Sequence, residues 1–335
     1  MDILARARAR EAAGASIIHL EIGEPDFATP PDIVAAGIDA LRQGRTHYTG
    51  ACGLPALRAA IAAHYAPLAI DPERVIVTPG SSGALQLAAA ALIDPGDEVL
   101  LADPSYPCNR EFVRAFGGVP KLIPVGPDSG YQLNAQLIRE HWGPRTRVAM
   151  LASPSNPTGS VLPPTVLAEM ISEVTRREGA VIIDEIYHGL VYDGSAATAA
   201  AHSGQVFVVN SFSKYYGMTG WRLGWLLAPA AAVPALDRLA QNFFLAASTP
   251  AQYAALAAFT PAVQRELERR RDIFRARRDY LVPALRELGF AIPRIPAGGI
   301  LYICGLRSAT RRRRRARTRV ARTHRRCDYT WARLR

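Results

Sequence analysis

The stretch VFVVNSFSKYYGMTGWRLGWLLA (206–228) holds two short aliphatic runs joined by a loop that carries Lys214. Lys214 is one of two lysines in the chain, the other being Lys121, against thirty-eight arginines. A chain so committed to arginine keeps an amine where a guanidinium cannot substitute. Lysine can lose its proton and form a Schiff base; arginine cannot. Ser211, Ser213 and Arg222 in the same stretch supply hydroxyl and guanidinium donors suited to gripping a phosphate. The competing reading is a surface lysine in an ordinary loop.

Outward from this stretch, similar runs recur: RVIVT (74–78), EVLLA (98–102), VPKLIPV (119–125), RVAMLA (147–152) and AVIID (180–184). They are short and mostly continuous rather than alternating, as strands covered on both faces are. Segments between them, such as GALQLAAAALI (83–93) and PPTVLAEMISEVTRREG (163–179), carry apolar residues at three- and four-residue spacing. This repeat predicts an α/β fold with a mainly parallel seven-stranded sheet and helices on both sides. From about residue 231 the strands stop. TPAVQRELERRRDIFRARRDYLVPALRELG (260–289) predicts a long helix capped by Thr260 and ended by Gly289. FAIPRIPAGGILYI (290–303) predicts strand, turn, strand, in a smaller α+β domain that has only begun. The expected boundaries are a large domain over 27–239, an incomplete small domain from 1–26 and 240–306, and an Arg-rich tail over 307–335.

Composition bounds the partners. The tail holds thirteen arginines and one acid, Asp328, a local net charge of +12, so the +11 of the whole chain leaves residues 1–306 at −1. The body therefore advertises no polyanion partner, and no recognition module accompanies the tail, so no nucleic acid is expected. The N-terminus MDILARARAREAAG lacks an apolar stretch of signal-peptide length, and Asp2 and Glu11 weigh against a transit peptide. No apolar run reaches the length of a membrane span. Cys52, Cys108, Cys304 and Cys327 lie far apart, without CxxC pairs or histidines at ligand spacing. Free thiols, a cytoplasmic location and no metal site are expected.

Ligands of open α/β sheets bind beyond the carboxyl ends of the strands. After 74–78, Gly80, Ser81, Ser82 and Gly83 lead straight into a helix, where exposed N–H groups and the positive dipole end suit a phosphate. The spacing is neither a Walker loop nor GxGxxG, and a plain turn with a serine cap explains it equally. After 180–184, Asp184 is followed by Tyr187; the carboxylate can keep a ring nitrogen protonated, or simply cap a turn. After 147–152, SPSNPTG fixes Asn156 among turn formers, and a turn is its bland reading. Together the strand ends offer a Schiff-base lysine, a phosphate cradle, an acid for a ring nitrogen and a polar pair for a phenolic oxygen. Pyridoxal phosphate needs that combination.

On LEIGEPDFATP, HYTGACGLPALRAAIAAHY, VTPGSSGAL, ADPSYP, SPSNPTG, IIDEIYHGLVYDG and SFSKYYGMTGWRLGW, in that order, the chain resembles the class I/II aminotransferases of the fold-type I pyridoxal-phosphate enzymes, over roughly residues 17–304. The resemblance implies pyridoxal 5'-phosphate as cofactor and amino transfer between an L-amino acid and a 2-oxo acid. It implies that Lys214 holds the cofactor as a Schiff base and later shuttles a proton, and that Asp184 keeps the pyridine nitrogen protonated. Asn156 and Tyr187 are implied to bond the phenolic oxygen, with Asn156 also lining the substrate site, and Tyr106 to stack on the ring. Gly80, Ser81, Ser82, Ser211 and Arg222 are implied to hold the phosphate, and Gly23 to line the pocket for the substrate carboxylate. The tyrosine matching Tyr48 reaches the neighbouring subunit's phosphate in relatives, implying a homodimer. Rivals on the same scaffold are a carbon–sulfur β-lyase or a cyclopropane-forming synthase; from another class, a non-catalytic or regulatory binding protein. The donor amino acid stays open.

The resemblance stops near Cys304 or Gly305, before the arginine that clamps the substrate carboxylate in relatives, and no tail arginine is assigned that role. The tail is expected to be a disordered extension or, fitting better the abrupt change of composition mid-domain, a shifted reading frame of a GC-rich gene, and the incomplete small domain implies weak turnover. The encoding DNA tests this: another frame downstream of codon 304 should continue the small domain with its arginine. If neither alternative frame does, the frame account fails.

Overall fold

The computed structural model describes residues 2–19, 23–202, 205–301 and 305–306. In chain order the helices are α1 (Asp2–Ala12), α2 (Pro31–Arg42), α3 (Pro55–His64), α4 (Gly80–Leu92), α5 (Cys108–Ala115), α6 (Ala135–His141), α7 (Pro164–Thr175), α8 (Val233–Phe244), α9 (Thr249–Leu256) and α10 (Pro261–Glu287). The strands of the large sheet are β1 (Val75–Thr78), β2 (Glu98–Asp103), β3 (Val119–Pro124), β4 (Thr146–Ala152), β5 (Ala180–Asp184), β6 (Val206–Ser211) and β7 (Gly224–Leu227). Each falls on one of the seven apolar runs of the sequence.

The sheet order is β1-β7-β6-β5-β4-β2-β3. Every pairing is parallel except the two made by β7, which lies antiparallel between β1 and β6. The expected mainly parallel, seven-stranded α/β sheet is therefore present, with one reversed strand inside it. The link between β6 and β7 carries no crossover helix, only a single 3-10 turn (Thr219–Trp221), so it returns to the same end of the sheet and β7 runs antiparallel.

Strand side chains alternate between two cores, one on each face. On one face Val75, Val77, Val181, Ile183, Val208 and Trp225 pack with Leu57 and Ile61 of α3, Leu167 and Met170 of α7, Ala254 of α9 and Leu267 of α10. On the other, Ile76, Val99, Val148, Ile182, Phe207 and Leu226 pack with Leu85 and Leu87 of α4, Val113 of α5 and Leu236 of α8. Burial on both faces explains why the runs read as continuous rather than alternating.

α10 runs unbroken through Pro283 for 27 residues. Thr260 occupies its N-cap position but makes no side-chain cap; its hydroxyl donates backward to the Ala257 carbonyl at 2.9 Å. The expected cap is thus correct in position and not in chemistry, because the hydroxyl is spent on the Ala257 carbonyl instead of accepting from an N–H of the first helical turn. Gly289 follows the helix at φ 86°. Beyond it, β8 (Phe290–Ala291) pairs antiparallel with β9 (Gly305–Leu306). Ile300 and Leu301, expected in a strand, are not in one, and Gly298 makes a single bridge to Val191 instead. The tail 307–335, Cys304 and Cys327 lie outside the described residues. Cys52 and Cys108 are free thiols. No helix among the described residues is long and apolar enough to cross a membrane.

Phe207 is 1% exposed in the second core. Phe207→Ala should lower stability by about 3–5 kcal/mol through lost burial and an unfilled cavity, read as a lower urea midpoint at unchanged slope.

Candidate active site

β1, β4, β5 and β6 end at one edge of the sheet, at Thr78, Ala152, Asp184 and Ser211. β7 begins at that same edge, its Gly224 paired with both Thr78 and Ser211. Arg222, two residues before β7, is thereby delivered between the ends of β1 and β6. A parallel strand in that place would have carried it to the opposite edge.

The turn from β1 into α4 is built for close approach. Gly80 has φ +72°, the left-handed region open to glycine, and a Cβ there would lie 2.6 Å from Arg222 Nη2. A Cβ on Gly224 would lie 2.7 Å from the Gly80 carbonyl carbon and 2.8 Å from the Ser81 nitrogen. Pro79 caps α4 with no side-chain hydrogen bond, so the first N–H groups of the helix have no capping side chain. The Arg222 guanidinium, held by Nη1 donating to the Thr219 carbonyl at 3.0 Å, thus faces the positive end of α4. Two positive poles meet there, and an anion is what relieves them. Ser81 and Ser82 are half-buried in this turn. Ser211 is buried, and its hydroxyl is engaged within the loop, with Ser213 Oγ at 2.9 Å and the Leu223 carbonyl at 3.1 Å.

Asp184 ends β5 at 9% exposure, and its Oδ1 accepts from the Ile186 N–H at 2.9 Å. Burial pushes its carboxyl up to about 6, opposed by the Ile186 hydrogen bond and by the charge of Lys214. Lys214 acts on it as a nearby charge only: its Nζ donates instead to the Gly23 carbonyl at 2.6 Å. Burial lowers the proton affinity of the Lys214 amine, with Arg222 adding to the effect and Glu24 and Asp184 opposing it. Gly23 itself sits against Leu301, whose Cδ2 would be 3.0 Å from a Cβ.

The remaining expected residues surround this core. Tyr187 is buried; burial first, then the Asp184 carboxylate and Tyr106, push its phenol above the ordinary range. Gly299 lies against its ring, where a Cβ would be 3.7 Å from Cγ. Tyr106, half-buried between β2 and α5, is likewise pushed up, by burial, Cys108 and Asp184, while Arg222 pulls it down. Asn156 is half-buried in the loop after β4. That loop is tied to Asp184 by the Ser153 N–H donating to the Asp184 carbonyl at 3.0 Å, and folded on itself by Gly159 N–H to Ser155 carbonyl at 2.8 Å. Tyr48 stands apart, 82% exposed between α2 and α3.

Three residues missed in the sequence belong to this edge. Glu24 sets part of the field at Lys214. Gly224 allows the approach of β7 to α4. Glu185 is fully buried; its oxygens accept from the Ala199 N–H at 2.7 Å and the Thr198 hydroxyl at 2.8 Å, and burial pushes it up to about 8. Strand alternation was its signal, since it sends neighbouring acids at 184 and 185 to opposite sides.

These residues fit pyridoxal 5'-phosphate. A cradle that side chains at 80 or 224 would fill carries the positive poles for a phosphate. A buried carboxylate without a hydrogen-bonded cation faces the same region as a half-buried amine. A helix terminus, an acid at a strand end and a lysine loop meet where open α/β sheets bind their ligands.

The family is settled by comparison. The model of the family "Aminotransferase class I and II" matches residues 15–335, past the point near Cys304 where the sequence reading ends the resemblance. The chain is 40% identical over 309 residues to a valine–pyruvate aminotransferase of Mycobacterium tuberculosis, spanning 90% of this chain and 79% of the relative. It is 37% identical to a (5-formylfuran-3-yl)methyl phosphate transaminase of Methanocaldococcus jannaschii, over 87% of this chain and 77% of that one. The aspartate aminotransferase of Thermus thermophilus, solved with maleate, superposes with a TM-score of 0.85 at 33% identity, covering 89% of this chain and 79% of that one. The chain belongs to the class I and II aminotransferase family and is an enzyme of the transaminase kind.

The burial of Asp184 has a pH signature. Its folded value of about 6 lies above the ordinary 3.8, so the folded state binds the proton more tightly. Its contribution is therefore full below pH 3.8 and is lost as pH rises through 6. Asp184→Asn should make the cofactor-free protein more stable at pH 8 by on the order of 2–3 kcal/mol, with the gain vanishing below pH 4. Thermal unfolding of both proteins across that range measures it; a variant no more stable at pH 8 would contradict it.

Proposed function

We propose that the chain carries pyridoxal 5'-phosphate, with Lys214 as the amine that holds it by a Schiff base, and moves an amino group between an L-amino acid and a 2-oxo acid. The observation that carries this reading is the convergence of Lys214, Asp184 and the Gly80–Arg222 cradle at one sheet edge. When bound, the cofactor supplies the aldehyde that condenses with amines and the ring that takes up the electrons of the substrate Cα.

The chain's own residues supply the rest. Arg222, Gly80, Ser81 and Ser82 bind the phosphate, joined by Ser211 if its hydroxyl turns outward. Asp184 holds a proton on the ring nitrogen; as a buried carboxylate it gains a hydrogen-bonded cationic partner, where Lys214 acts on it only as a nearby charge. Asn156 and Tyr187 bond the phenolic oxygen, and Tyr106 covers the ring face. Lys214 Nζ, its basicity reduced by burial, can take a proton from the substrate Cα and return it. Gly23 borders the site for the substrate carboxylate. Tyr48, exposed on one chain, is assigned to the site of a second copy in a homodimer acting in the cytoplasm. Pyruvate in the name of the Mycobacterium tuberculosis relative supports a small 2-oxo acid as one substrate.

Incubation of the purified chain with pyridoxal phosphate, pyruvate and single L-amino acids should yield alanine and the matching 2-oxo acid in equal amounts. Lys214→Ala should abolish the yellow absorbance and cut the rate at least about a thousandfold. Lys121→Ala should leave both intact, because Lys121 pairs with Glu98 at 3.3 Å on the far strand. Ammonia and pyruvate released without an acceptor would favour a lyase instead. Bound cofactor without any turnover would favour a binding protein. The rate of the 335-residue chain also tests the weak turnover expected from the sequence.

A further inference from the structure

Tyr215, next to Lys214, is 8% exposed and makes contacts to two other parts of the site's frame. Its hydroxyl donates to Glu268 Oε1 of α10. Its ring covers Gly189, in the turn directly after Tyr187, so closely that a Cβ at 189 would overlap the ring. That turn is the same one that begins at Asp184, with His188 N–H donating to the Glu185 carbonyl at 2.9 Å and Leu190 N–H to the Tyr187 carbonyl at 2.8 Å. The Tyr216 ring braces Tyr215 edge-on, with centroids 5.1 Å apart at 74°. Glu268 is held in turn by Arg271 at 2.5 Å.

α10 also fixes the acceptor of the Lys214 amine. Arg270 Nη1 donates to the Ala28 carbonyl at 2.6 Å and Arg277 pairs with Asp26 at 2.7 Å, both in the segment that carries Gly23. Phe27 is held between them, its ring 5.2 Å from each guanidinium and edge-on to Phe274 at 5.3 Å. The loop of Lys214 and the segment of Gly23 thus both meet α10, and the turn of Asp184 and Tyr187 is joined to it through Tyr215.

We propose that Tyr215 is a positioning residue that sets Lys214 against the Asp184–Tyr187 turn, by packing on Gly189 and bonding Glu268 of α10. A phenol that joins the two loops removes their freedom to slide, and loops alone rarely hold reacting groups to the tolerance that chemistry needs. Loosening it lets water reach Lys214, whose neighbours are the Gly23 carbonyl, Glu24, Asp184 and Arg222. The proposal rests on the reading of Lys214 as the reactive amine.

The chain's two lysines permit a direct measurement in the cofactor-free protein. Competitive labelling with acetic anhydride at graded pH, read peptide by peptide by mass spectrometry, gives the titration midpoint of Lys214 with Lys121 as internal reference. Tyr215→Phe, which keeps the ring, and Gly189→Ala, which displaces it, should both raise the Lys214 midpoint by at least about half a pH unit and leave Lys121 unmoved. Glu268→Gln keeps an acceptor for the phenol and should retain the wild-type midpoint, whereas Glu268→Ala should shift it as Tyr215→Phe does. Unmoved Lys214 midpoints in Tyr215→Phe and Gly189→Ala would overturn the proposal, even if both variants melt earlier. Wild-type protein that shows no visible absorbance with pyridoxal phosphate would instead sink the reading of Lys214, separating the two failures.

Discussion

At position 224 any side chain would collide with backbone on both sides. The Cβ of an alanine there would lie 2.7 Å from Gly80, 2.8 Å from Ser81 and 2.8 Å from the carbonyl oxygen of Asn210. These are main-chain atoms of α4 and β6, which cannot swing aside as a side-chain tip can. With glycine, antiparallel β7 slots between β1 and β6, and the loop from 212 to 223 must leave and return at one edge of the sheet. Lys214 on the outgoing arm and Arg222 on the returning arm therefore face the helix terminus and the acid at the end of β5. Most of the candidate site follows from that single close contact.

The same edge concentrates electrostatic cost. Asp184 and Glu185 are adjacent acids, both buried, and both hold protons more tightly than in water because burial disfavours their charge. They are handled differently. Glu185 is satisfied internally by Thr198 and Ala199, so it belongs to the frame. Asp184 has one backbone donor and a carboxylate turned toward the site, so the fold leaves its charge to be balanced by something bound.

Much of this was legible in the sequence, and the reasons are physical. Seven aliphatic runs gave seven strands because strands covered on both faces cannot hide a polar alternation. Lys214 stood out because lysine is nearly absent from the chain. Asp184 stood out as an acid closing an aliphatic strand. What sequence pattern could not supply were contacts between distant segments. The reversal of β7, the overlap of Tyr215 with Gly189 and the donation from Lys214 to the Gly23 carbonyl all join residues whose spacing along the chain carries no periodic signal. Thr260 shows the opposite error, where a local rule named a cap whose hydroxyl turns back to the Ala257 carbonyl instead.

The central claim is that Lys214 is the amine at which the cofactor is held. Borohydride reduction of the purified chain with pyridoxal phosphate, followed by proteolysis and mass spectrometry, tests it without requiring turnover. The phosphopyridoxyl label should sit on the peptide that carries Lys214 and on no other lysine. Label on Lys121, or none on the Lys214 peptide at saturating cofactor, would contradict the account.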